Sequence, residues 1–335
     1  MTFHVFGKIE FGHLEMTSKT DFGVTEYPGG VLAIDSGFGR ENMTACYMVE
    51  AETEVAFIEV GANSSTPRLM ATLEQRGWAP EDVRYVIVTH VHLDHAGGAG
   101  SLMQLLPNAS FIVHKYGARH MLDPSNLEKG VRAVYGDAVY DELYGELIPI
   151  PEDRLRVMED GDTLNLGSRQ FRFMDTQGHA RHHFCVYDNQ TNGWFTGDTF
   201  GLSYREFDTD KGAFVIPTTT PVQFDPPALK ESVRRLVANQ PDCMYLTHYG
   251  RVDDVQQLAM QMLEGVDAFA EFGEQFEHDD QRTEKIAAAI WVWLSGRLTA
   301  HGVTLSDDQC RYLLQPDVKL NAQGIECWLD YRKRR

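Results

Sequence analysis

Three imidazoles and one carboxylate fall within the stretch His90-Val91-His92-Leu93-Asp94-His95. Any one of these histidines alone would read as a surface residue or a satisfied core residue. Four ligand-type side chains in so short a stretch, spaced by apolar residues, read as a metal loop. Neutral imidazole and carboxylate are the nitrogen and oxygen donors that divalent ions take. The chain has only 13 His in 335 residues, so composition does not account for the density.

Elements that must position this stretch lie on both sides of it. Val83-Arg84-Tyr85-Val86-Ile87-Val88 is a β-branched apolar run and reads as a buried strand. Gly97, Gly98 and Gly100 read as a tight backbone turn, ahead of a helical pattern at Leu102, Leu105 and Leu106. The four side chains are therefore expected on a short loop at the C-terminal end of a core strand. Open α/β sheets place their chemistry there.

Three later stretches repeat the same local grammar, an apolar strand, then a ligand-type residue, then glycine or a turn. They are Asp175-Thr176-Gln177-Gly178-His179, Trp194-Phe195-Thr196-Gly197-Asp198 and Tyr245-Leu246-Thr247-His248-Tyr249-Gly250. Each alone is an ordinary loop. Their order after H-x-H-x-D-H makes them stronger together than apart.

On these residues the chain resembles the metallo-β-lactamase-fold hydrolase superfamily, the broad group with glyoxalase II, acyl-homoserine lactonases and ribonuclease Z. The resemblance covers roughly 1–250 and rests on the His90-x-His92-x-Asp94-His95 loop, His179, Asp198 and His248. It implies an α/β fold, an αββα sandwich of two sheets with helices outside. It further implies that His90, His92 and His179 hold one metal, that Asp94, His95 and His248 hold a second, and that Asp198 bridges them. Two divalent ions, Zn first with Fe or Mn accepted by the same donors, could share one water and lower its pKa to about 7. Asp94 or a metal-bound water is expected to handle the proton. Glu59, at a strand end, is expected to support the metal loop. His183, four residues after His179, is a catalytic candidate, at a position where many relatives place a histidine near the site, and His182 and His183 read equally well as a structural pair. Tyr204, six residues past Asp198, is similar to the tyrosine with which lactonases assist the leaving group, at a longer spacing than theirs. Arg181 and Arg205 are weaker candidates for an anionic substrate group.

The chain in order supports this reading. Apolar runs at 31–34, 46–49 and 55–60 read as strands of one sheet, residues 66–77 as a helix with Pro67 in its first turn, and 110–113 as another strand. Residues 116–150 read as mixed and mainly helical, with Tyr135, Tyr140 and Tyr144 assigned to core. A second β-rich series is expected from about 154, with strands at 164–166 and 171–174. A hairpin follows over 184–196 through Asn192-Gly193, then a helix at 226–239 and a strand at 244–247. From 252, apolar residues recur at helical spacing over 255–269 and 283–299, and two shorter helices are expected after them, one opened by the capping box Ser306-x-x-Gln309. The domain reading is thus a catalytic domain over 1–250 and a helical extension over 251–335 that caps the active site.

A net charge of −19 argues against nucleic acid or anionic membrane as partner, the tail Arg332-Lys333-Arg334-Arg335 notwithstanding. No apolar run reaches the roughly 20 residues of a membrane span, and Met1–Lys8 lacks the charged-then-apolar pattern of a secretory signal. Five cysteines without a C-x-x-C pair fit free thiols in a reducing compartment. The expectation is a cytoplasmic protein with a small-molecule substrate; a homodimer is left open.

The reaction expected first is hydrolysis of a small ester, thioester or lactone. Small-molecule phosphodiester hydrolysis is the alternative, since the same two-metal site serves it. An iron-dependent sulfur dioxygenase and a low-turnover regulatory binding protein complete the set. The flavodiiron branch is disfavoured by His92 and by the lack of room for a flavodoxin domain. β-Lactam hydrolysis is disfavoured because no export signal is seen.

Overall fold

The computed structural model describes residues 22–219 and 222–334. The expectations that touch 1–21, including the Met1–Lys8 segment, and Arg335 of the basic tail lie outside the described residues, as does the side chain of Tyr135. The chain divides into two compact units, Met1–Met158 with Asn165–Ser168, and Glu159–Leu164 with Arg169–Arg335.

The first unit is built on a seven-stranded sheet with strands in chain order: β1 (Val24–Tyr27), β2 (Val31–Asp35), β3 (Ala45–Glu50), β4 (Val55–Ile58), β5 (Val83–Ile87), β6 (Ser110–His114) and β7 (Leu155–Met158). Strands β1 to β4 pair antiparallel, and β4 to β7 pair parallel. Helices α1 (Thr66–Gln75), α2 (Leu93–Ala96), α3 (Ala99–Leu105), α4 (Lys115–Leu122), α5 (Ser125–Tyr135) and α6 (Asp137–Leu143) fill the connections. Alternate strand residues Leu32, Ile34, Cys46, Met48, Val55 and Phe57 share one core with Leu69 and Leu73 of α1 and Leu102 and Met103 of α3. That pattern is the two-residue period of strands meeting the four-residue step of helices. Tyr140 and Tyr144 are buried in a second cluster with Phe38 and Leu93, as core residues.

Strand β7 corrects one expectation. The second β-rich series does not begin near 154; Leu155–Met158 closes the first sheet, parallel to β6. Parallel neighbours need a long crossover, and α4 to α6 supply it. The pattern Leu-Arg-Val-Met of an edge strand carries no sign of which sheet it will join.

The second sheet runs β13-β12-β11-β10-β9-β8, with β8 (Thr163–Leu166), β9 (Arg169–Asp175), β10 (Phe184–Asp188), β11 (Gly193–Gly197), β12 (Cys243–Leu246) and β13 (Gly250–Val252). The hairpin β10–β11 forms as expected, Asp188 opposite Gly193, with Asn192 left-handed at φ 47°. Asparagine tolerates that conformation better than most residues. Helix α7 (Pro226–Ala238) is capped by the Asp225 carboxylate, which accepts from the Ala228 amide at 3.2 Å. Strand β13 went unanticipated, being three residues long between His248 and the next helix.

Three long helices complete the second unit: α8 (Val255–Gln275), α9 (Arg282–His301) and α10 (Asp307–Arg332). Where two shorter helices were expected, α10 is one helix running through Pro316. Proline removes one helical hydrogen bond, but Leu314, Val318, Ala322, Ile325 and Leu329 are all buried along one stripe, and tertiary packing holds the helix across the gap. Both halves of the Ser306–Gln309 capping box are present. The fold class is the expected one: α/β, two mixed sheets with helices, and a C-terminal helical extension. Among the described residues no helix is long and apolar enough to cross a membrane.

Candidate metal centre

In the first unit the chain leaves β5, bends at Thr89 and His90, is extended again at His92 and turns at once into α2. Asp94 and His95 therefore sit on a single helical turn, where a loop was expected for all four residues. The amides of His95 and Ala96 both donate to the His92 carbonyl, at 3.1 and 2.9 Å. This turn folds His95 back toward His90, so their ring centroids stand 4.0 Å apart, and those of His90 and His92 4.4 Å. Nε2 of His90 lies 2.8 Å from Nδ1 of His92, and Nε2 of His95 lies 3.5 Å from the Asp94 carboxylate. His90 and His95 are buried, while Asp94 keeps 24% of its side chain exposed.

Glu59, just past β4, holds this group in place. Its buried carboxylate accepts from the Thr89 amide at 3.0 Å and meets Nδ1 of His95 at 3.1 Å. Its own amide donates to the Ile87 carbonyl at 2.8 Å, and the next amide, Val60, donates to the His95 carbonyl at 2.9 Å. A buried carboxylate beside an imidazole selects the tautomer protonated on the facing nitrogen. His95 thus carries its lone pair on Nε2, toward Asp94 and away from Glu59. Nδ1 of His90 meets the Thr89 hydroxyl at 3.1 Å.

The glycines after the motif have a different purpose from the expected turn. Gly98 has an ordinary helical φ of −82°. What it needs is space: a Cβ there would meet the Ala62 carbonyl oxygen at 2.6 Å, and one on Gly100 would meet the Ile148 oxygen at 2.0 Å. Close backbone approach, not conformational freedom, requires glycine in this segment.

The second unit gathers His179, Asp198 and His248. Nε2 of His179 lies 3.4 Å from one Asp198 oxygen, and Nε2 of His248 lies 3.5 Å from the other. Gly178 precedes His179 at φ 127°, packed so closely on α7 that a Cβ would meet the Leu229 amide nitrogen at 2.2 Å. Thr218 backs the group. Its hydroxyl donates to the Asp198 carbonyl at 3.0 Å and lies 3.2 Å from Nδ1 of His179, whose other neighbour is the Thr218 carbonyl at 3.4 Å. A carbonyl acceptor at Nδ1 again leaves the lone pair on Nε2, facing Asp198.

His183 is buried against the same segment. Its Nε2 accepts from the Asp198 amide at 3.3 Å, and its Nδ1 meets the Thr176 hydroxyl at 2.9 Å. The neighbouring His182 is buried too. Tyr204 is fully buried, its hydroxyl 3.2 Å from both oxygens of Asp317 on α10. The Arg181 guanidinium donates to the Tyr331 hydroxyl at 2.8 Å, and that of Arg205 bonds the Ser203 carbonyl and lies 3.3 Å from Asp208. Thr218, Asp317 and Asn321 of α10 were not anticipated. The available signal was Asn321 itself, a polar residue at a buried position of an apolar helix stripe, which must find hydrogen-bond partners.

The thiols beside the site are not poised as ligands or nucleophiles. Burial pushes the Cys46 thiol well above its ordinary range, with the charges of Glu59 and Asp35 adding to the effect. It stays protonated, and only a thiolate ligates or attacks. The other four cysteines are also free, all but Cys327 buried.

Residues 39–248 match the family model described as the metallo-beta-lactamase superfamily. The chain belongs to that superfamily. The matched stretch spans all seven candidate ligands of this superfamily member and ends on the last of them, His248, before α8 to α10 begin. A metallo-beta-lactamase fold-containing protein of Sulfurisphaera tokodaii is 31% identical over 50% of this chain and 61% of its own length. The crystal structure of an archaeal superfamily protein from Sulfolobus tokodaii aligns at TM-score 0.61 and 21% identity, covering 88% of this chain and 98% of that one. Similarity also extends to an acyl-coenzyme A thioesterase of Bos taurus, 29% identical over 33% of this chain and 39% of the relative. A hydroxyacylglutathione hydrolase of Francisella tularensis subsp. novicida is 28% identical over 34% of this chain and 32% of its own length. The chain thus matches between about a third and three fifths of the length of these curated relatives.

Proposed function

We propose that this superfamily member is a metal-dependent hydrolase of a small thioester, ester or lactone. One observation carries the reading. In each unit a histidine is anchored at Nδ1, His95 by the Glu59 carboxylate and His179 by the Thr218 carbonyl, and turns its Nε2 toward an aspartate. That arrangement, imidazole oriented by a backing acceptor, is how proteins prepare ligands for a metal.

The donor set fits divalent ions. It consists of imidazole nitrogen and carboxylate oxygen with no thiolate, which suits Zn and also admits Fe or Mn. As the superfamily resemblance implies, His90, His92 and His179 would hold one ion, Asp94, His95 and His248 the other, and Asp198 both. Bound there, the ions supply Lewis-acid charge that polarises a carbonyl and acidifies water. Asp94 is the ligand carboxylate with part of its side chain in solvent, which suits it to take a proton and return it to the leaving group. His183 positions Asp198 by accepting its amide, and Tyr204 is committed to Asp317. For these two residues we replace the expected catalytic roles with positioning roles. The helical extension 251–335 is proposed to restrict the substrate to a small or slender one. Thioesters head the substrate list because two relatives carry the names acyl-coenzyme A thioesterase and hydroxyacylglutathione hydrolase, both describing cleavage of an acyl group from a thiol.

Elemental analysis of protein purified without added metal, with a panel of thioester, ester, lactone and bis-p-nitrophenyl phosphate, tests the proposal. The expected result is bound divalent metal and thioester turnover that His90→Ala abolishes. Turnover confined to the phosphodiester, or activity in metal-free protein, would overturn it.

A further inference from the structure

We infer that α10 is a strut for the second unit's ligand group, and that Asn321 is its positioning residue. The inference rests on the metal-dependent reading of His179, Asp198 and His248. Asn321 is buried, and its side-chain oxygen, side-chain nitrogen and backbone carbonyl all bond the segment 217–219. Its side-chain oxygen accepts from the Thr219 amide at 2.7 Å and from the Thr219 hydroxyl at 3.1 Å. Its side-chain nitrogen donates to the Pro217 carbonyl at 3.1 Å, and its backbone carbonyl accepts the Thr219 hydroxyl at 2.9 Å. The residue enclosed by these bonds is Thr218, which touches Nδ1 of His179 and the carbonyl of Asp198.

A second contact lies one helical turn away. Asp317, four residues before Asn321 and therefore on the same face of α10, receives the Tyr204 hydroxyl. Tyr204 follows Ser203, whose amide donates to the carbonyl of His248. One face of one helix thus reaches the backing of all three second-unit ligands. Residues 307–332 lie beyond the matched stretch 39–248, so this support is particular to the extension. The geometric consequence is direct. Without Asn321 the amide of Thr219 and the carbonyl of Pro217 lose buried partners, the segment relaxes, and Thr218 no longer fixes the direction of the His179 ring.

Cobalt(II) titration of the full chain tests this, with the visible d–d spectrum and the affinity for each equivalent as readouts. Asn321→Ala is expected to weaken binding about tenfold, the low end of what losing an outer partner costs, and to shift the spectrum. Thr218→Val, nearly isosteric, should give the same spectral shift if Asn321 folds poorly as alanine. Tyr312→Ala, on the exposed side of the same helix, should leave both readouts at wild-type values. Wild-type affinity and spectrum in Asn321→Ala and Thr218→Val would overturn the strut while leaving the metal-dependent reading intact. A wild-type chain that binds no cobalt or zinc would overturn that reading, and the strut with it.

Discussion

Glu59 combines a left-handed backbone, φ 62°, with a buried carboxylate that meets both the Thr89 amide and the His95 ring. A non-glycine residue in that region costs of order 1–3 kcal/mol and persists where its surroundings over-determine it. Glu59→Gln keeps the shape but supplies one acceptor and one donor where two acceptors are needed. The Thr89 amide or His95 Nδ1 then faces a donor. Metal affinity should fall by about 10- to 100-fold, measured by competition with a chromophoric chelator; unchanged affinity would remove Glu59 from the site. Tyr204 gives the opposite expectation. With its hydroxyl on Asp317 inside the fold, Tyr204→Phe should keep kcat within about tenfold and leave the pH profile in place. A loss of 100-fold or more, the scale of a missing general acid, would restore the proton-donor role.

Among the elements, strands and amphipathic helices were legible because their apolar periods are local: β2 to β6, the β10–β11 hairpin, α1, α7 and α8 stand where the pattern puts them. The seven candidate ligands were legible too, through the density of the His90–His95 stretch and the order of the three strand ends that follow it, though none of those strand ends carries the reading alone. Partnership was not legible. Which sheet β7 would join, whether Pro316 would break a helix, and which side chains back the ligands all depend on contacts distant in sequence. The glycines after the metal loop illustrate the point, because the letters give no hint that a carbonyl stands against them. Gly100→Ala places a methyl 2.0 Å from the Ile148 oxygen, and overpacking of this kind costs about 1–3 kcal/mol. A lowered urea midpoint should report it; a wild-type midpoint would show that the segment yields at no cost. For α10, Ser306→Ala removes the hydroxyl that accepts the Gln309 amide, at a cost of about 0.5–2 kcal/mol. Thermal unfolding followed by circular dichroism should show the shift, and equal midpoints would mean that packing alone fixes the helix start.

At the scale of the whole molecule, ions bound only by the folded chain add stability by mass action, about 2.7 kcal/mol for each site at a free concentration 100 times its Kd. Dialysis against EDTA should therefore lower the melting temperature, and zinc should restore it; a midpoint indifferent to both would contradict the metal-dependent reading. The buried asparagine of α10 also has a consequence in time. Thr219 is synthesised 102 residues before Asn321, which at about 5–20 residues per second is a delay of roughly 5–20 s. Glu59 and His95 are separated by only 36 residues, so the first ligand group can close early in synthesis. The second has His179, Asp198 and His248 in hand long before the residue that steadies them exists. A nascent chain is thus able to shape one half of its donor set well before the residue that steadies the other half has been made.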